Sequence, residues 1–345
     1  MQKEKIKKLQ QNLLQWYRQN GRENLPWRRL GREDCEPCLR HIDRAYGVFV
    51  SEIMLQQTQV KTVLERFYYP FLREFPTLKS LARADEGRIL KAWQGLGYYH
   101  RARNLKRAAQ QCLSLFGGAL PRSKKELLSL AGVGDYTAGA IACFAYGEAV
   151  SFTDGNIRRV LSRLFALKNP TQKQLLARAD LILNAQNPLH HNQALMDLGA
   201  SLCSAQNARC ESCPLCEFCR GKDTPQNYPQ RKKTYQEKLK FHLFILEFER
   251  KFALLQSQKR LHAGLYNFPF FAPQNSPFDA KHARHIASFK HSYTQFKLEL
   301  EIYHQVLAKK ERGYLFKTEE ECENLALSGL SLKALKIFKK HNHAL

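Results

Sequence analysis

The sequence predicts two domains, a mainly helical one over residues 1–220 and an α+β one over residues 239–345. Three observations carry this division. Up to Arg220, apolar residues recur three or four apart, as in Ile6, Leu9, Leu13 and Trp16 and again in Phe49, Ile53, Val60, Val63 and Phe67, the period of helices with one buried face. Residues 221–238, GKDTPQNYPQRKKTYQEK, combine two prolines and a basic run with few apolar side chains, which suits an exposed linker. Beyond them, KFHLFILEF and FKLELEIYHQVL are rich in aromatic and branched residues and read as strands. At 345 residues, the chain is long enough for both domains to bury a core.

Lys and Arg number 55 against 31 Asp and Glu, a formal charge of +24 that points to a polyanionic partner. A basic surface alone is also compatible with no specific partner, so motifs must decide. The amino-terminal MQKEKIKKLQQNLLQWY is interrupted by Gln and Asn before any apolar run reaches signal-peptide length, and the weakly polar stretch Ala138 to Tyr146 is too short to cross a bilayer. The expectation is a soluble, cytoplasmic protein with no membrane partner. In that reducing compartment its ten cysteines are metal ligands or buried thiols sooner than disulfides.

Cys203, Cys210, Cys213 and Cys219 have six, two and five residues between them, so one loop can bring four thiolates to a common centre. Such a set suits tetrahedral zinc as well as an iron–sulfur cluster. Cys216 adds a second register, in which Cys210, Cys213, Cys216 and Cys219 follow one another with two residues in every gap. Arg209, Arg220 and Lys222 flank the loop and can meet phosphates.

The segment SKKELLSLAGVGDYTAGAIACFAYG, beginning at Ser123, places an amphipathic helix, a tight turn with Gly132 and Gly134, and a helix of small residues in succession, a helix-hairpin-helix over about 123–146. Glycines let the turn approach a phosphate, and the amides that open the second helix supply donors backed by its dipole. In FTDGNIRRVLSRL, Asp154 stands where an N-cap belongs, before a helix that begins with Asn156. Glu52 lies on or beside the apolar stripe of one expected helix, VFVSEIMLQQTQVKTVLERF. A glutamate there ordinarily occupies the exposed flank; burial would raise its proton affinity and make it a usable acid.

The strings LPW, SEIMLQQTQV, GLGYYHRARNL, LAGVGDYTAGA, DGNIRRVL and NQALMDLGA, in this order before the cysteine loop, resemble the adenine DNA glycosylases of the MutY type. The likeness covers almost the whole first domain. It implies a helix-hairpin-helix glycosylase fold with a [4Fe–4S] loop over 203–219, held by Cys203, Cys210, Cys213 and Cys219 with Cys216 a non-ligand. By the same likeness Glu52 protonates adenine N7, Asp154 supports positive charge on the sugar and the entering water, and Asn156 and Tyr136 assist them. Arg28 and Gln193 match positions that read the flipped adenine, and Gln57, Thr58 and Tyr98 match residues that fill the gap and contact the opposite oxidised guanine. On residue type alone, Gln57 and Thr58 are also ordinary surface residues and Tyr98 an ordinary core aromatic. Gly132 and Gly134 would meet the DNA backbone, although the family usually has Pro where Ala131 stands.

LHAGLYNFPFF and FKHSYTQFKLEL resemble, more weakly, the Nudix-like module that this family uses to inspect the base opposite adenine. The glutamate-rich helix of Nudix hydrolases is missing, so pyrophosphate hydrolysis is not expected. Tyr293, Thr294 and Gln295 stand where relatives often have Phe-Ser-His, and Thr294, which keeps the hydroxyl, is the expected contact to the opposite base. An insertion after LPWRR, GREDCEPCLRHID, offers Cys35, Cys38 and His41 to a metal but no obvious fourth ligand. The function these features imply is base-excision repair by a monomer on duplex DNA carrying adenine opposite 8-oxoguanine or guanine, leaving an abasic site. A bifunctional glycosylase and lyase of the same superfamily is the nearest rival, but it needs a lysine where this chain has Tyr136. A non-catalytic mismatch-binding protein is the other.

Overall fold

The first helix, Lys3–Asn20, turns Leu9, Leu13 and Tyr17 inward at successive intervals of four residues, while its Lys side chains face water. In the computed structural model, which describes residues 3–230, 235–258, 262–293 and 295–342, this stripe packs on helices Gly155–Leu164, Gln172–Ile182 and Pro188–Ser201. The chain divides into two compact units, Met1–Arg83 with Asn104–Lys232, and Ala84–Arg103 with Lys233–Leu345. No helix among the described residues is long and apolar enough to cross a membrane.

In the first unit, helix Asp135–Tyr146 is made of small residues and is buried over most of its length. Gly139 is needed there because an added Cβ would stand 2.9 Å from the Cβ of Phe152. The same helix packs against Arg44–Leu55, which carries Glu52. The single helix expected from Val48 to Phe67 is instead two, Arg44–Leu55 and Val60–Arg66. The cause is local: Gln57 adopts φ +57°, a left-handed conformation that cannot continue a helix, and the Thr58 amide turns back to the Leu55 carbonyl.

The second unit is built on a seven-stranded sheet among the described residues: β1 (Glu237–Phe248), β2 (Lys251–Gln256), β3 (Tyr266–Asn267), β4 (Phe270–Phe271), β5 (Arg284–Ser292), β6 (Phe296–Val306) and β7 (Leu315–Lys317). Its main order is β3-β2-β1-β6-β5, with β4 paired to β1 and β7 to β2. β1 and β6 run parallel from Glu237 opposite Phe296 to Glu247 opposite Val306, whereas β5 and β6 form an antiparallel pair. Glu249 and Arg250, both with positive φ, close the tight turn between β1 and β2. β1 is buried on both faces. Leu243 and Ile245 meet Leu335 and Phe338 of the covering helix Gly329–Asn342 in one core, and Phe244 and Leu246 join Tyr303 and Phe316 in the other.

Candidate active site

Three helices of the first unit meet at one cavity. Arg44–Leu55, capped by the Asp43 carboxylate at the Tyr46 amide, presents Glu52; Pro26–Arg29 presents Trp27 and Arg28; Pro188–Ser201 presents Gln193. The cavity is open to solvent and is lined by Trp27, Arg28, Val48, Glu52, Gln193 and Met196 among others.

Glu52 is only 3% exposed, and its Oε2 accepts a hydrogen bond of 2.7 Å from the Tyr136 hydroxyl. Burial raises its proton affinity, the Tyr136 bond opposes the rise, the charge of Asp154 adds to it and Arg28 opposes it; the net effect pushes the carboxyl up to about 7. Such a group is protonated in about half of the molecules at neutral pH.

Asp154 sits differently. It caps helix Gly155–Leu164, with Oδ1 accepting from the Ile157 amide at 2.6 Å and Oδ2 from the Asn156 side-chain amide at 3.0 Å. Burial is the largest influence and leaves its pKa above the usual aspartate value, although these two donors favour the anion and oppose the rise. Burial thus raises both carboxyls, but Glu52 is met by a single phenol while Asp154 is cradled by two donors that favour its anion.

Arg22 and Arg28 of the cavity lining are held by a buried group that sequence reasoning passed over. Asp197 receives Arg28 through two bonds of 2.8 and 2.9 Å, and Arg22 through three between 2.6 and 2.9 Å. Burial alone would raise the Asp197 pKa, but its bonds and charge contacts with Arg28 and Arg22 hold it below the usual carboxylate range. Tyr17 closes the network by donating to Gln193 Oε1 at 2.7 Å. The string NQALMDLGA contains Asp197, four residues and so one helical turn after Gln193; that spacing was the available signal.

Gly132 and Gly134 differ in what they require. Gly132 has φ +75° and an added Cβ would stand 2.6 Å from the Asn104 Cβ, so glycine is structurally demanded. Gly134 has an ordinary φ of −95°, and an added Cβ would meet nothing within 4 Å. Its bare backbone leaves the amides that open helix Asp135–Tyr146 uncovered. Exposed Gln57 and half-buried Thr58 lie in the break between the two helices of the Glu52 segment. Tyr98 belongs to the second unit, and Thr294 lies outside the described residues.

In the loop 203–219, amide-to-carbonyl bonds from Cys213 to Cys210, Cys216 to Cys213 and Cys219 to Cys216 wind the chain, and all five cysteines line one cavity. Burial pushes the Cys213 thiol up to about 12 and that of Cys219 up to about 11. Arg163 Nη1 lies 3.3 Å from Cys203 Sγ, and Arg209 and Lys222 also border the cavity. Sulfur donors ringed by cations fit a soft, thiolate-bound group. Among the described residues, no three His, Cys, Asp or Glu side chains are gathered about a single-ion position, either here or in the insertion, where Cys35 is buried while Cys38 and His41 are exposed.

A family model described as HhH-GPD superfamily base excision DNA repair protein matches residues 50–184, which include Glu52, the hairpin and Asp154. The adenine DNA glycosylase of Buchnera aphidicola subsp. Baizongia pistaciae is 35% identical over 277 residues, covering 77% of this chain and 74% of that protein. This chain belongs to the adenine DNA glycosylase family. The human adenine DNA glycosylase is 42% identical over 218 residues, 61% of this chain. The chain spans 39% of the human family member's length and 41% of the mouse one's. Among solved structures, a thermostable thymine-DNA glycosylase aligns with a TM-score of 0.56 at 27% identity, over 64% of this chain and 97% of that one. A non-covalent endonuclease III–DNA complex, with a TM-score of 0.52 at 19% identity over 65% of this chain and 97% of the other, shares the fold.

Proposed function

We propose that this chain removes adenine from duplex DNA where it stands opposite 8-oxoguanine or guanine, by hydrolysing the N-glycosidic bond and leaving an abasic site. The observation that carries the reading is the pair of unlike carboxyls, a buried Glu52 with a raised pKa against Tyr136 and a donor-held Asp154. Adenine is a poor leaving group and must be flipped from the duplex before it can be reached. Glu52 delivers its proton to N7, the glycosidic electron pair departs with the neutral base, and the anionic Asp154, steadied by Asn156, offsets the positive charge left on the sugar. Water then adds to the anomeric carbon and releases a proton. Arg28 and Gln193, on the wall that carries Glu52, contact the flipped base, and Gly132 and Gly134 present backbone amides to the phosphates.

Gln57, Thr58, Tyr98 and Thr294 fill the gap and inspect the opposite base. Residues 1–220 supply the chemistry and 239–345 contribute recognition, joined through 221–238. Cys203, Cys210, Cys213 and Cys219 hold a [4Fe–4S] cluster, which organises the loop and its flanking cations for DNA, with Cys216 outside the ligand set; the lining of one cavity by these thiols supports this. The working form is a cytoplasmic monomer. Tyr136 leaves no lysine at the position a lyase would use. The test is single-turnover base release from duplexes with adenine opposite 8-oxoguanine, guanine or thymine, run with borohydride trapping. Release on the first two duplexes without covalent capture is expected. Binding without release, or capture as fast as release, would replace the proposal with one of the two rivals.

A further inference from the structure

We propose that Lys91 and Gln94 anchor the loop carrying Tyr98 to the backbone of residues 323–327, so that the carboxy-terminal residues influence recognition by setting the shape of a loop far from them in sequence. The inference rests on the reading of Tyr98 as a contact to the opposite base. All of these residues lie in the second compact unit, which takes in Ala84–Arg103 together with Lys233–Leu345.

The loop is unusual in itself. Gly95 and Gly97 have φ of +98° and +77°, and Tyr98 adopts φ +48°, a conformation that a residue with a Cβ rarely holds without support, while remaining 42% exposed. Support comes from within the unit. The buried Arg101 stacks its guanidinium 5.5 Å from the Tyr98 ring centroid and 5.5 Å from that of Trp93, and donates to the Leu96 and Gly97 carbonyls at 3.3 and 3.1 Å. Trp93 Nε1 donates to the Gly97 carbonyl at 3.1 Å.

This assembly hangs from Glu86–Ala92, a helix of seven residues, too short to hold its shape unaided. Its carboxy-terminal end is tied down by two side chains. Lys91 Nζ donates to the Glu323 carbonyl, to that of Leu325 at 3.3 Å and to Gln94 Oε1 at 2.8 Å; Gln94 Nε2 reaches the Leu325 and Leu327 carbonyls at 3.5 and 3.2 Å. A further contact is at Gly264, where an added Cβ would stand 2.8 Å from Arg103 Nη2 and 3.2 Å from Leu90 Cδ1. Lys91 and Gln94 are therefore positioning residues, which act on the base through Tyr98.

The test uses the full chain with Lys91→Met and Gln94→Ala combined, and Lys91→Arg as the conservative control. Amide exchange at residues 95–101 should quicken by about tenfold, the effect of losing a charge-assisted hydrogen bond, with β1 and β6 unaltered. The ratio of single-turnover rates opposite 8-oxoguanine and guanine should fall with it, and Lys91→Arg should restore both. Unchanged exchange at 95–101, or faster exchange with an unchanged ratio, would overturn the proposal. Should the double variant loosen β1 and β6 as well, Gln94→Ala alone decides on the same two measurements. A wild type that releases no adenine opposite either base would instead defeat the proposed function, and exchange alone would then decide whether the anchor exists.

Discussion

Replacing Glu52 with Gln should make the protein more stable and nearly inactive at once. The carboxyl ordinarily titrates near 4.5 and is pushed up to about 7 in the fold, chiefly by burial. The folded state therefore binds the proton more tightly than the unfolded chain. The stability this contributes is fully present below pH 4.5, declines as pH rises through about 7, and is level above that. The interval corresponds to roughly 3 kcal/mol. Glutamine keeps the size and polarity without the charge, so denaturant unfolding should find the two proteins alike near pH 4.5 and Glu52→Gln ahead by up to roughly 3 kcal/mol at pH 8. Single-turnover adenine release should fall by about 10² to 10⁴, the usual worth of general acid assistance, while mispair binding persists. In the wild type, release should decline about tenfold per pH unit well above pH 7, as the protonated fraction falls. Tyr136→Phe removes the bond that holds the Glu52 pKa down, so this limb should move to higher pH. A Glu52→Gln variant that keeps more than about a tenth of the rate, or gains no stability at pH 8, would refute the assignment of the acid.

Asp197→Ala should cost about 3–5 kcal/mol in denaturant unfolding, because it leaves the Arg28 guanidinium buried and unpaired in the cavity wall. Burial holds the His191 pKa down from 6.5 to about 4, so the stability it contributes is present above pH 6.5 and lost as pH falls through about 4; His191→Leu should flatten the acid limb of the unfolding midpoint between those values. Serine at Cys203, Cys210, Cys213 or Cys219 should abolish bound iron and visible absorption in purified protein, whereas Cys216→Ser should keep both; the opposite pattern would reassign the ligand set.

Local pattern went a long way. The helical period of Leu9 and Leu13, the turn glycines before Asp135, the cap at Asp154 and the branched, aromatic segments that became β1 and β6 are all properties of neighbouring residues, so they were legible in a single line of sequence. Periodicity carried the Glu52 helix too far, because nothing in the identity of Gln57 announces a positive φ; that conformation belongs to the path of the chain. Whether Glu52 faced water or the interior was equally undecidable from its stripe, since a flank residue becomes a buried acid only when Tyr136, 84 residues away, comes to lie 2.7 Å from it. The spacing of Asp197 from Gln193 was on view, but its partners were not: Arg22 and Arg28 are joined to it by folding and not by spacing. The grouping of residues 84–103 with the carboxy-terminal sheet was likewise beyond sequence, which reads helical period over that stretch regardless of what the helix packs against. Sequence thus decided element types and the residue kinds that chemistry needs, because these depend on short-range stereochemistry. Burial, charge pairing and proton affinity awaited the tertiary structure, because each depends on which distant side chains displace water from the same place.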